Sequence, residues 1–236
     1  MSTTGRFIQV VMMSAAFTAA GSNVANAQTQ SLGLSLGYFA LKGEDTRIFD
    51  DVIATNRTIF EFDLSQFNNA SIGAEWLVEV GDYVEAGVGV GFYQQTVLSY
   101  DREFVHDDGS DILQDFKLRV TPVTAVARFF PFSLRSSVQP YAGAGVGAFN
   151  WRYSEVGDFV DRGTLDIFRD RFVATGTDVG AVYLAGVRVD VGGRYRVGFE
   201  ARYQDAKGVV GIDQGFLDER IDLSGLTSVF TVGVRF

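Results

Sequence analysis

The sequence predicts an all-β fold, an eight-stranded antiparallel up-and-down transmembrane β-barrel. Three features predict it: apolar residues alternate with period two in segments of about ten, glycine gathers on the opposite face, and connections alternate between short and long. The chain has 236 residues with 27 Gly, 3 Pro and no Cys, and 47% of it is hydrophobic. That apolar share excludes a disordered chain. The lack of cysteine excludes a disulfide scaffold and a thiolate metal site. A net charge of −9 has the wrong sign for gripping nucleic acid, so no nucleic-acid partner is expected.

Residues 1–27 read as a secretory signal, leaving 28–236 as the barrel domain. Arg6 supplies the positive start, 7–20 is apolar, and Ala25-Asn26-Ala27 is a small-x-small cleavage site. The apolar run, about 14 residues, is shorter than a bilayer-spanning helix. The first strand then carries Leu32, Leu34, Leu36 and Tyr38 on one face. Over 71–80, Ile72, Ala74, Trp76, Val78 and Val80 oppose Gly73, Glu75, Leu77 and Glu79. A tight hairpin at Gly81-Asp82 leads into 83–93, where Val84, Ala86, Val88, Val90 and Phe92 oppose Glu85, Gly87, Gly89, Gly91 and Tyr93.

In 117–129 the outward set Leu118, Val120 changes phase to Val123, Ala125, Ala127, Phe129, which predicts a bulge at Pro122, since proline donates nothing to a ladder. Over 141–151 the pattern sets Ala142, Ala144, Val146 and Ala148 against Gly143, Gly145, Gly147 and Phe149. Tyr183, Ala185, Val187, Val189 and Val191 oppose Gly186, Arg188 and Asp190. After Gly192-Gly193, Val197, Phe199, Ala201 and Tyr203 oppose Gly198, Glu200 and Arg202. Phe230, Val232, Val234 and Phe236 close the set of eight.

Long polar connections are expected at 44–66, 98–116, 154–180 and 205–222, holding 23 of the 29 acids and 8 of the 20 bases. The faces read as inward carry Glu75, Glu79, Glu85, Asp190 and Glu200 against Lys117, Arg119, Arg128, Arg188, Arg202 and Arg235. An eight-stranded lumen is barely wide enough for side chains. Charges of balanced sign are therefore expected to pair and plug it, because an unpaired buried ion costs several kcal/mol.

The segment Phe230-Thr-Val-Gly-Val-Arg-Phe236 resembles the C-terminal strand by which barrels are handed to the barrel-assembly machinery, and Pro140-Tyr141-Ala-Gly-Ala-Gly145 is similar to a strand start common among them. On these residues the chain resembles the small outer-membrane β-barrel proteins, the superfamily that includes OmpW-like and OmpA/OmpX-like barrels. The resemblance implies a cell outer-membrane location, outer-membrane lipid and the assembly machinery as partners, and Phe230, Val232, Val234 and Phe236 as the assembly signal.

Catalytic candidates are sparse. His106, the one histidine, sits in His106-Asp107-Asp108-Gly109-Ser110-Asp111 without a positioned nucleophile, and that spacing departs from a calcium loop. The glycines at 87, 89, 91 and at 143, 145, 147 share strand faces, so they clear the lumen rather than cradle a nucleotide. The stretch Ile167-Phe168-Arg169-Asp170-Arg171-Phe172 is expected to pack on Phe49 and Phe60 as a cap. The expectation is a monomer with no cofactor, metal or enzymatic chemistry, structural or surface-interactive, with large acidic loops. One alternative is an OmpW-type channel for a small apolar solute, and another is a lipid-modifying enzyme.

Overall fold

The computed structural model describes residues 29–211 and 215–236. The expected signal segment 1–27, with Ala25 and Ala27, lies outside the described residues. Eight long strands form a closed ring: β1 (Gln30–Leu41), β2 (Asn69–Val80), β3 (Val84–Val105), β4 (Asp111–Phe129), β5 (Val138–Val160), β6 (Ile167–Val191), β7 (Tyr195–Asp205) and β8 (Gly225–Arg235). Each pairs antiparallel with its neighbour in sequence, and β8 closes on β1 from Ser31 opposite Arg235 to Leu41 opposite Gly225. Connections at one end are short: 81–83, 130–137 and 192–194. The broad connections at the other end, 42–68 and the described residues 206–211 and 215–224, form a mouth that includes helix α1 (Val52–Ile59).

The exterior of the lower barrel is apolar. Leu32, Leu34, Leu36, Ile72, Val88, Val90, Val123, Val146, Phe199, Phe230 and Val232 all point outward and lie open. Aromatics edge this belt, Trp76, Tyr83, Phe129, Tyr195 and Phe236 toward the short turns and Tyr38, Phe92 and Tyr183 toward the mouth. Opposite them the inner face holds charge and glycine. This inversion of a soluble protein's pattern is stable only where lipid surrounds the wall.

Two sequence expectations need correction. There is no bulge at Pro122: Val90 faces Val123 and Tyr93 faces Val120 in one continuous register. Leu118 and Val120 point inward, buried, while Lys117 and Arg119 point outward rather than into the lumen. What changes at Pro122 is the surroundings. Below it the apolar belt forms the exterior, and above it the exterior turns polar while an apolar core fills the inside, so the apolar face of an unbroken strand switches sides. The same switch on β5 passes from outward Ala148 to inward Phe149, Trp151 and Tyr153.

The segments expected as loops at 98–116 and 154–180 are correspondingly mostly strand, because β3–β4 and β5–β6 continue beyond the belt to turns at 106–110 and 161–166. Their inward residues Val97, Phe116, Leu118, Trp151, Tyr153 and Phe159 join Val52 and Ile53 of α1 and Phe60, Phe62, Phe67, Ile221 and Leu223 from the broad connections in one buried core. Asp51 caps α1 through the amide of Ala54. It also accepts from the amide of Asp222 at 2.8 Å, fixing the helix across the barrel mouth.

Candidate functional site

The lumen is the site where ionisable groups converge. Glu75 on β2 takes a two-pronged bond from Arg128 on β4, at 3.1 and 2.7 Å, and Arg128 also donates to Glu200 on β7 at 2.8 Å. Arg202 bridges Glu200 at 2.7 Å and Glu75 at 3.4 Å. Nearer the short turns, Arg188 holds both oxygens of Glu85 at 3.2 and 2.9 Å. Arg196 reaches Glu85 at 3.3 Å, Glu79 at 2.5 Å and Asp190 at 3.2 Å, and Arg235 lies 3.8 Å from Asp190. Glu85 and Glu200 are 0% exposed and Arg128 2%, so these pairs share a space largely closed to bulk water.

Of the residues expected in the lumen, the structure brings together Glu75, Glu79, Glu85, Asp190, Glu200, Arg128, Arg188, Arg202 and Arg235. It leaves out Lys117 and Arg119. Arg196 takes their place and was missed, although its parity with Gly198, Glu200 and Arg202 was a readable signal. Its position is demanding: Glu79 and Glu85 sit opposite each other on β2 and β3, and one guanidinium between them turns a repulsive pair into a bridged one.

Glycine makes the space. At Gly186 a Cβ would lie 2.8 Å from the Tyr141 ring, so only glycine lets that ring lie flat and its hydroxyl donate to Glu200 at 2.9 Å. Below the network Phe130 and Leu134, from the connection 130–137, fold up into the barrel as a floor, with Phe130 against Tyr141 and beneath the Arg188 guanidinium at 4.6 Å. Above it, a cavity of about 60 Å³ touches Glu75 and Arg202 of the network, Phe39, Tyr93 and Phe149 toward the mouth core, and Ile72, Val90 and Phe92 at the wall.

In the mouth, Glu155 is buried beside Tyr153 and accepts from the Asn56 amide of α1 at 2.6 Å. Burial pushes its carboxyl up to about 7. The stretch 167–172 does cap the mouth, with Phe159 touching Phe60, Phe168 and Phe172, and Phe172 meeting Phe216. Phe49 takes no part in this cap and stands 86% exposed, because it precedes the capped start of α1 on the outer side. His106 lies on the 106–110 turn, 3.8 Å from Asp158. Ser110 gives its hydroxyl and amide to Asp108, holding that carboxyl below its ordinary value, and no serine faces His106 as a nucleophile among the described residues. The assembly-signal candidates Phe230, Val232, Val234 and Phe236 project outward from β8 and its end.

No protein-family model and no curated protein matches the sequence. Several solved structures are similar. The Escherichia coli outer membrane protein W has a TM-score of 0.46 at 15% identity, over 89% of this chain and 97% of that one. Neisserial surface protein A has 0.42 at 14% identity, over 88% and 95%. Ail, the attachment invasion locus protein of Yersinia pestis, solved with a heparin analogue, has 0.41 at 15% identity, over 89% and 99%. A closed ring of eight antiparallel strands, greasy outside and charged within, gives this chain the architecture of a small outer-membrane β-barrel.

Proposed function

We propose that this outer-membrane barrel is a non-conducting protein whose role is structural and surface-interactive, exercised through its ordered, acidic mouth and without catalysis. One observation carries the reading: the bore is stopped at three successive levels, by the Phe130–Leu134 floor, by the charge network, and by the core around α1. Ions crossing such a lumen would have to separate pairs built on carboxylates that are 0% exposed, Glu85 and Glu200. Planar-bilayer recordings of the folded protein should show no unitary current. Regular, ion-selective steps would overturn the reading.

Two further expectations belong to it. The folded protein should fractionate with the outer membrane and run faster unheated than boiled in detergent gels, and recovery in the soluble periplasmic fraction would count against it. The assembly machinery is proposed to read the outward ladder Phe230, Val232, Val234, Phe236. Phe236→Ala should lower folded-barrel yield while precursor export continues, as measured by heat-modifiable band intensity; an unchanged yield would remove that role.

A second reading, passage of a small apolar solute from mouth to bilayer, draws support from two features. A mostly apolar cavity of about 210 Å³ lies among Phe60, Phe159, Phe168, Phe172 and Leu217, with Asp101, Glu155 and Arg162 also on its wall. Lower down, the pairing of β3 with β4 lapses between Val90 and Tyr93, opposite Pro122 and beside the cavity of about 60 Å³. Entry of an apolar dye into protein-bearing vesicles no faster than into empty ones would dispose of it.

A further inference from the structure

Just beyond the apolar belt, the outer wall carries a group of cations that nothing neutralises. Lys117 and Arg119 of β4, Arg152 of β5 and Arg171 of β6 gather with Gln94 and Ser154 around a surface cavity of about 220 Å³. The register sets Gln94 opposite Arg119 and Arg119 opposite Arg152. One row higher, Lys117 lies between Thr96 and Ser154, and one row above that Arg171 faces Val156. Like charges placed directly across a ladder repel.

Among the described residues, none of these four side chains makes an ion pair, and the Nε of Arg119 is buried without a partner. Asp115, which shares a row with Val156 and Arg171, is paired with none of them. The contrast with the lumen is direct. There every arginine of the network is matched by a carboxylate, while here a fold rich in acid leaves four cations bare on one patch.

We propose that this patch docks the phosphorylated headgroup of an outer-leaflet lipid. Height selects that occupant. Arg119 and Arg152 stand four residues beyond Val123 and Ala148, where the unbroken apolar outward runs of their strands end; on these two strands apolar outward residues return at Leu113 and Val156, both farther out. At about 3.3 Å per residue and a tilt of about 40°, that places them roughly 10 Å above the belt, at headgroup depth. Direction selects it too. The side chains leave the wall sideways, toward neighbouring lipid, whereas a soluble partner would meet the mouth, where acids predominate. Guanidinium forks suit phosphate oxygens in pairs, and the Ser154 hydroxyl adds a donor within the same cavity. The proposal rests on the barrel's standing in a membrane with its mouth outward, and not on its lumen being closed.

The test is a titration of the folded full-length protein in neutral detergent with three probes: bisphosphorylated lipid A, the same lipid stripped of phosphate, and a soluble sulfated oligosaccharide. The wild type should bind the phosphorylated lipid, more weakly as salt rises, and lose most of that affinity toward the stripped lipid. Near an anionic surface each basic residue contributes about fivefold in affinity. Arg119→Gln with Arg152→Gln should therefore weaken binding by about thirtyfold, with the heat-modifiable band and the bilayer recordings unchanged. Should that variant fold poorly, Lys117→Gln with Arg171→Gln, both exposed, should give a similar loss. Equal affinity in wild type and either folded variant, indifference to the phosphates, or preferential binding of the oligosaccharide would each overturn the proposal.

Discussion

Replacing Arg128 by alanine is expected to cost the folded barrel about 3–5 kcal/mol and to open no conducting path. Arg128 is 2% exposed and serves Glu75, Glu200 and, at 3.8 Å, Glu85. Its removal leaves one net negative charge among carboxylates that are mostly buried, Glu85 and Glu200 at 0% exposed. Arg188 and Arg196 already hold Glu85, and Arg202 already shares Glu75 and Glu200, so no free guanidinium is left in the network to fill the place. Arg202→Ala should cost less, since 24% of that side chain is exposed and water can take over part of its role. Arg128→Met combined with Glu75→Gln should recover much of the single-variant loss, because both members of the pair go together. Denaturant unfolding in detergent measures these losses, and bilayer recordings run in parallel. Near-neutral stability accompanied by altered ion selectivity would mean that the lumen is a wet channel and that the closed reading is wrong.

The lower half of this molecule was legible because lipid imposes one rule on every strand, apolar outward and mostly polar or glycine inward, and the outward positions from Ile72 to Val80 and from Tyr183 to Val191 are apolar throughout, with Leu77 and Leu184 the apolar residues that face in. Glycines at period two and a balance of inward acids and bases then pointed to a packed lumen. The upper half follows the opposite rule. Leu118 and Val120 continue the strand that holds Val123 and Ala125, yet they face inward because the dry side has changed. Reading one rule along the whole strand produced a bulge where none exists and sent Lys117 and Arg119 to the wrong side. The same strand read with a change of surroundings at Pro122 needs no insertion. Helix α1 was not legible, since eight residues containing Val52, Ile53 and two threonines have little helical propensity, and tertiary burial of Val52 and Ile53 holds them in place. Nor was the floor, because Phe130 and Leu134 sit in a connection with no periodicity to betray which way they point.

The mouth is expected to lose stability as pH rises, and Glu155→Gln should abolish that loss. Glu155 lies above the apolar belt, 3% exposed, with its carboxyl pushed up to about 7 by burial against an ordinary value of 4.5. Below pH 4.5 the residue is protonated folded and unfolded alike, so it contributes no pH dependence. Between 4.5 and 7 the unfolded chain ionises while the folded one resists, and the folded state loses ground with each step in pH. Above 7 the whole penalty is in force, about 3 kcal/mol for a separation of this size. Glutamine keeps the shape and the acceptor for Asn56, carries no charge at any pH, and offers a donor toward Asn56 Oδ1, which lacks a partner among the described residues. The variant should therefore match wild type near pH 4.5 and exceed it by about 3 kcal/mol at pH 8. Taking the difference between the two proteins cancels every contribution they share. Trp151, buried on the same inward face two residues before Tyr153, reports the transition by its fluorescence once Trp76 is replaced by phenylalanine. A wild-type and variant difference that stays flat from pH 4.5 to 8 would show that Glu155 keeps its charge inside the mouth, and that α1 seats on an ionised carboxylate.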